Sequence, residues 1–298
     1  MHAAVAAMPA PAPSTETAVV SHTADELIKE IGIPPCPTVL TEFIAETKRE
    51  EPDFRRLSHL VNKDTALAAS ILKTINSPFY GLGKKARTVQ EALTLLGLRE
   101  TTRLISGLLL RRAFASYDAP AMQEYWDRSS RVAMVSAYLA RELEAAPLEE
   151  AHTFALFRDC GIPVLLIRFS DYEEMLAQTR NENERRRSDM ERLRYGFDHA
   201  LVGATLAQSW HLPSETWQAI RIHNGYETPD FAADERNERS ARLIALGLLA
   251  ERLLLTHRGV YDANVWSVEE AFVTEVLGAL DERLAPLGND IARIIEQS

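Results

Sequence analysis

TFALFRDCGIPVLL (Thr153–Leu166) places an ion pair in sequence, Arg158 and Asp159, inside a run that is otherwise almost wholly apolar or small. Such a run predicts a buried helical segment, and a buried carboxylate needs a partner or a function. Outward from it the helical pattern continues on both sides. Upstream, a long helix is predicted from about Pro120 to Leu143, carrying Trp126, Val132, Val135 and Leu139. Before it, Leu104, Ile105, Leu108 and Leu109 share a face over Arg99–Arg112, and a preceding helix begins at the capping box Thr88–Glu91 and closes at Gly97. Asp53 and Asp64 are candidate caps, with Leu57, Leu60 and Val61 inward after the first and Leu67, Ile71, Leu72 and Ile75 after the second. Val39, Leu40, Phe43, Ile44 and Thr47 form the inward face after the proline-rich IPPCPTVL, and Thr23 with Glu26 forms a second capping box ahead of Leu27, Ile28 and Ile31. Downstream, helices are predicted near 149–158, 161–169, 189–195, 198–210, 213–224, 237–257 and 267–281. No β-alternation competes with them, so the fold class is all-α, built from many short to medium helices.

The composition excludes several functions. The 298 residues are 46% hydrophobic and 26% charged, enough for a solvated surface around a real core. A net charge of −10 opposes bulk attraction to nucleic acid or anionic membrane. The short basic cluster Lys84, Lys85 and Arg87 lacks interleaved aromatics, so it reads as a solvated loop. The two cysteines, Cys36 and Cys160, have neither metal-site nor disulfide-framework spacing. No apolar run approaches the roughly 20 residues of a membrane-spanning helix. Residues 1–22, rich in Ala, Pro, Ser and Thr, are expected to be a disordered leader rather than a secretory signal, and the cytoplasm is the expected compartment. RNENERRRSDMERLRYG (Arg180–Gly196) is the most hydrophilic interior segment and is expected to be a solvated loop leading into a helix. There is no Gly-x-Ser-x-Gly elbow, Walker loop or dinucleotide glycine loop.

Several motifs in order resemble the HDOD domain. These are IPPCPTVL, NKDTALAASILKTINSPFYG and TVQEALTLLGLRETTRLI in the first half. YWDRSSRVAMVSAYLAREL, EEAHTFALFRDCGIPVLL and YGFDHALVGATLAQSWHLPSETWQAIRIHN follow in the second. The resemblance covers about residues 25–257 and implies a multi-helix HDOD fold with an HD-like helical core. Residues 23–117 would be its N-terminal helical part and 118–298 the HD-like part with C-terminal amphipathic helices. The fold is similar to HD-type metal-dependent phosphohydrolases, which hold one or two divalent ions with a histidine, a His-Asp pair and a distant aspartate.

Carried over residue by residue, that set is broken. The first histidine falls at Arg128, the His-Asp pair at Arg158 and Asp159, and the aspartate within ARLIALGLLAERLLL, which contains none. Of the four, Asp159 survives, together with two accompanying histidines, His199 and His223. Arginine stays protonated and offers a metal no lone pair. The expectation is therefore a vestigial HD pocket with no catalytic residue, no metal and no cofactor. Two roles for the arginines stay open. Arg158 could pair with Asp159 or another acid and fill the pocket, or Arg128, Arg158, His199 and His223 could bind a phosphate or nucleotide. His199 could also be an ordinary polar-core residue behind an Asp198 cap, while His59, His152 and Cys160 read as structural.

The resemblance implies a non-catalytic regulatory or scaffold module of bacterial signalling, acting by protein–protein interaction. Its partner would be another signalling protein in trans, with no nucleic acid and no membrane, and a homo-oligomer is compatible. A phosphohydrolase of residual activity is the alternative. In the tail, Val268, Ala271, Phe272, Val276 and Leu280 share a stripe that suits either packing on the domain or a partner surface.

Overall fold

Asp53 and Asp64 cap helices as the sequence predicts. Asp53 Oδ1 accepts the backbone N–H groups of Arg55 and Arg56 (2.8 and 3.3 Å), and Asp64 Oδ1 accepts that of Leu67 (3.1 Å). In this computed structural model the described residues are 31–77, 80, 85–115, 117, 120–179, 184–226, 237–259, 263–278 and 281–297. The expected leader, the Thr23–Glu26 box and Lys84 lie outside them. Among the described residues there is no strand, and no helix is long and apolar enough to cross a membrane.

The N-terminal layer consists of α1 (Thr38–Thr47), α2 (Phe54–Asn62) and α3 (Thr65–Ile75), packed on α4 (Val89–Ala113). Helix α4 is interrupted at Gly97 (φ 78°, ψ 171°), the point where the sequence predicts one helix to end and another to begin. Thr88 Oγ1 accepts the Glu91 N–H (3.1 Å), as in a capping box, but the Glu91 carboxylate accepts from Arg87 N–H (2.7 Å) rather than from Thr88. The Asn76 side chain closes the loop between α3 and α4, donating to Ala86 O and accepting from Ala86 N–H, both at 2.8 Å.

The second layer pairs α5 (Pro120–Glu142) with α6 (Leu148–Phe157), and α12 (Glu238–His257) packs on both. Between them come α7 (Gly161–Arg168), α8 (Tyr172–Gln178), α9 (Glu184–Tyr195), α10 (His199–Ser209) and α11 (Ser214–Ile222). Phe154 and Phe157 on α6 are fully buried, so truncating either would cost about 3–5 kcal/mol. The layers are also joined by polar contacts. Buried Glu150 on α6 pairs with Arg99 and Arg103 of α4 and with Arg239 of α12. Trp210 Nε1–H donates to Pro34 O (3.0 Å), tying the proline-rich entry to the end of α10.

The tail packs onto the domain, with α13 (Ala263–Leu277) against α12 and α15 (Gly288–Gln297) against α5; a short α14 (Asp281–Leu284) lies between them. Its inward face is Phe272, Val273 and Leu277, with Val276 partly buried. Ala271, placed on the stripe by the sequence pattern, is exposed, and the fully buried Val273 takes a place on the inward face instead; the side chains of Val268 and Leu280 lie outside the described set.

From Glu184 to Gly196 the structure corrects the reading of a solvated loop, while 180–183 lie outside the described residues. Helix α9 already runs from Glu184, and Glu184, Arg187, Ser188 and Glu191 are buried. Their spacing of three, four and seven residues puts them on one face of the helix. That face is turned inward because it meets charged partners rather than apolar ones.

Candidate functional site

Asp159 follows the last turn of α6, immediately before α7, and Arg158 is the C-terminal cap of α6. Both are buried. The Arg158 guanidinium grips Asp159 from Nη2 to Oδ2 (2.9 Å) and from Nε to Oδ1 (3.3 Å), and its Nη2 also reaches Glu251 Oε2 (2.8 Å) on α12. Arg128 on α5 pairs with the other Glu251 oxygen and stands 3.7 Å from Glu184 Oε1. Both Arg128 and Arg158 are thus engaged by carboxylates, which opposes their use for a phosphate. Although burial works against its charge, the Arg158 guanidinium holds the Asp159 carboxyl well below the usual carboxylate range.

The histidines approach from the other side. His199 opens α10, held there by the Asp198 cap, whose Oδ1 accepts the Leu201 N–H (2.7 Å). Fully buried Glu191 takes three donors: the Tyr172 hydroxyl on Oε1 (2.5 Å), and the His199 backbone N–H (2.8 Å) and ring Nδ1 (2.6 Å) on Oε2. Burial opposes a charge on His199, but the adjoining Glu191 carboxylate lifts its pKa to about 9. His223 caps α11, and its Nδ1 lies 2.6 Å from Ile220 O. A carbonyl or carboxylate can only accept, so Nδ1 carries the proton in both rings and the Nε2 atoms face each other's surroundings.

Those two Nε2 atoms converge on carboxylates. His223 Nε2 is 3.4 Å and His199 Nε2 3.8 Å from Asp159 Oδ1, and His199 Nε2 is 3.8 Å from Glu184 Oε2. One donor atom from each of Asp159, Glu184, His199 and His223 lies within 4.8 Å of all the others. His199 Nε2, His223 Nε2 and Glu184 Oε2 are buried and have no hydrogen-bond partner. Among the described residues, these four are the ones grouped closely enough to hold a divalent ion. On the opposite face of Asp159, Arg158 occupies the place and already supplies the positive charge. Arg187 is 3.5 Å from Glu184 Oε1. Against the opposing effect of burial, its charge draws the Glu184 pKa down to about 2. From solvent, a cleft of about 360 Å³ lined by Tyr125, Arg128, Asp159, Glu173, Leu176 and Arg187 leads to the arginine side.

All five residues singled out from the sequence, Arg128, Arg158, Asp159, His199 and His223, meet in this one site. Sequence reasoning missed Glu184, Arg187, Glu191 and Glu251. Glu251 had a signal: it is the single carboxylate in the segment searched for an aspartate. Glu184 and Glu191 had a weaker one, the 184–187–188–191 helical spacing within a charged run. Cys160 is buried and free, its Sγ against Gly203 O (3.5 Å), and burial pushes its thiol pKa up, so it is a structural residue.

The chain is thus all-helical among its described residues, with a buried acid–histidine–arginine centre. A family model described as the HDOD domain matches residues 33–226, and the chain belongs to that family. An uncharacterized protein of Treponema pallidum is 25% identical over 193 residues, covering 64% of this chain and 37% of that protein. YuxH of Bacillus subtilis is 34% identical over 64 residues, 22% of this chain and 16% of that one, so the matches span well under two thirds of these relatives. Among solved structures, an HDOD domain protein with unknown function from Geobacter sulfurreducens superposes with a TM-score of 0.63 at 18% identity, covering 92% of this chain and 95% of that one. A protein of Shewanella amazonensis SB2B, provisionally named a phosphohydrolase, gives 0.64 at 20% identity, covering 91% and 97%. One from Marinobacter aquaeolei VT8, provisionally named a signal transduction protein, gives 0.59 at 23%, covering 91% and 61%. These likenesses establish the fold.

Proposed function

We propose that this chain is a non-catalytic regulatory module of bacterial signal transduction that acts through protein–protein contact. The observation that carries the reading is the Asp159–Arg158–Glu251–Arg128 ion-pair chain, which puts two arginines where the resemblance to HD-type phosphohydrolases calls for lone-pair ligands. Metal-assisted hydrolysis needs an ion with an open position beside the substrate phosphate. Arg158 blocks that position with a guanidinium bound on both sides. The provisional name of the Marinobacter neighbour is in line with a signalling role.

The test is turnover. The purified full chain, supplied in turn with Mn²⁺, Fe²⁺ and Zn²⁺, is assayed against p-nitrophenyl phosphate, bis-p-nitrophenyl phosphate and cyclic dinucleotides. The expected result is no hydrolysis above buffer. Hydrolysis that disappears in Asp159→Asn would overturn the reading and put the phosphohydrolase alternative in its place.

A further inference from the structure

The two carboxylates of the centre divide their oxygens in the same way. Asp159 gives Oδ2 to Arg158 Nη2 (2.9 Å) and turns Oδ1, which also accepts from Arg158 Nε at 3.3 Å, toward both histidines. Glu184 gives Oε1 to Arg128, Arg158 and Arg187 and turns Oε2 toward His199. The space between Asp159 Oδ1, Glu184 Oε2 and the two Nε2 atoms is thus lined by four atoms that can each offer a lone pair to a cation, His199 Nε2 once it gives up its proton. Each Nε2 faces carboxylate oxygens at 3.4–3.8 Å, a separation that needs positive charge between them, supplied by a second proton on the imidazole or by a cation that takes its place. All four residues are at most 6% exposed, so bulk water does not relieve this. Unpartnered buried polar atoms are rare, and three in one cluster call for a missing occupant.

The spacing identifies it. A tetrahedral ion with ligand bonds of roughly 2.0–2.2 Å separates its ligand atoms by about 3.3–3.6 Å. Three of the contacts are 3.4, 3.8 and 3.8 Å and the four atoms all lie within 4.8 Å of one another, wider than that and in need of a small contraction around an ion. Each imidazole is also oriented through Nδ1, by Glu191 and by Ile220 O, the arrangement that steadies metal-ligating histidines. We propose that Asp159 Oδ1, Glu184 Oε2, His199 Nε2 and His223 Nε2 bind one first-row divalent cation, of the zinc and manganese class that imidazole and carboxylate share. Glu184 stands outside the four-ligand pattern of HD-type enzymes and completes a set of which Asp159 is the one member shared with that pattern. With four protein ligands the site is closed, so the ion is structural and compatible with a non-catalytic module. This departs from the absence of metal expected from the sequence, which followed from the ligands lost at Arg128 and Arg158 and did not count Glu184.

The full chain is stripped with chelator, dialysed, and titrated with ZnCl₂ and MnCl₂ by calorimetry, with bound metal counted by mass spectrometry. The expected result is one ion per chain for at least one of the two metals, with a raised melting temperature. Glu184→Gln and His223→Ala should each weaken binding roughly tenfold or more, while Glu251→Gln, which touches only the arginines, should keep the ion. Circular dichroism checks that the variants fold; should they not, Co²⁺ loaded into the unaltered chain reports the site directly, since tetrahedral nitrogen and oxygen ligands give strong visible d–d absorption. Substoichiometric metal with both ions, binding unchanged in Glu184→Gln, or no such Co²⁺ spectrum would overturn the proposal. The result is separable from the reading above: a bound ion without phosphoesterase turnover upholds both, turnover overturns only the non-catalytic reading, and absence of the ion overturns only this inference.

Discussion

Arg158 decides the character of the site. Its guanidinium is 2% exposed and holds Asp159 and Glu251 together. Removing one member of a buried ion pair leaves the others charged and desolvated, a cost of about 3–5 kcal/mol. Arg158→Ala should therefore lose about that much in urea denaturation. Arg128→Ala should lose about 1 kcal/mol or less, because the Arg128 side chain is 36% exposed and water can replace it. Equal losses would contradict the assignment of Arg158 as the buried keystone. At this scale the sequence was informative where chemistry lies in adjacent letters. Arg158 and Asp159 announce themselves as a charge pair in an apolar run, and His199 stands directly behind its cap Asp198. Glu184 does not, because a carboxylate in a run of arginines looks solvated until the fold shows which face of the helix turns inward.

Helix placement explains how such distant residues meet. Helix α7 crosses α10 at van der Waals distance: a Cβ built on Gly161 would lie 2.1 Å from His199 O and 2.9 Å from Gly203 N. Both obstacles are backbone and cannot swing aside. Gly161→Ala must push the start of α10, and His199 with it, away from Asp159. A loss of about 3 kcal/mol or more is expected from thermal unfolding, in the range of severe overpacking. Gly107→Ala is the contrast, since its Cβ would meet the Leu156 Cδ2 methyl at 2.7 Å, a side-chain end that can rotate. It should lose clearly less. The helices themselves were readable from apolar periodicity and caps, as at Asp53, Asp64 and Asp198. Helix α9 was the exception, for its inward face is polar, and a pattern based on apolar spacing assigns such a face to solvent.

At the scale of the molecule, the tail belongs to the same electrostatic system as the centre. Glu269 on α13 is partly buried, and that burial, reinforced by the nearby negative charges of Glu251 and Glu184, raises its pKa to about 8. The amphipathic stripe left packing on the domain and a partner surface both open, and it did not show that packing would bring a third acid toward Glu184 and Glu251, since that depends on how α13 sits against the domain. The consequence is a pH dependence of definite sign. In the unfolded chain Glu269 titrates near its ordinary value of 4.5, so between about 4.5 and 8 the folded chain holds a proton that the unfolded chain has released. Its contribution to stability is full below 4.5 and is lost as pH rises through 8. Glu269→Gln removes the titration. Measured by urea denaturation, the variant should match the parent near pH 4.5 and exceed it near pH 9 by about 1–3 kcal/mol, less than the full shift because the side chain is partly exposed. A constant difference across that range would mean that Glu269 is solvated and that α13 does not bring it close to the acids of the centre.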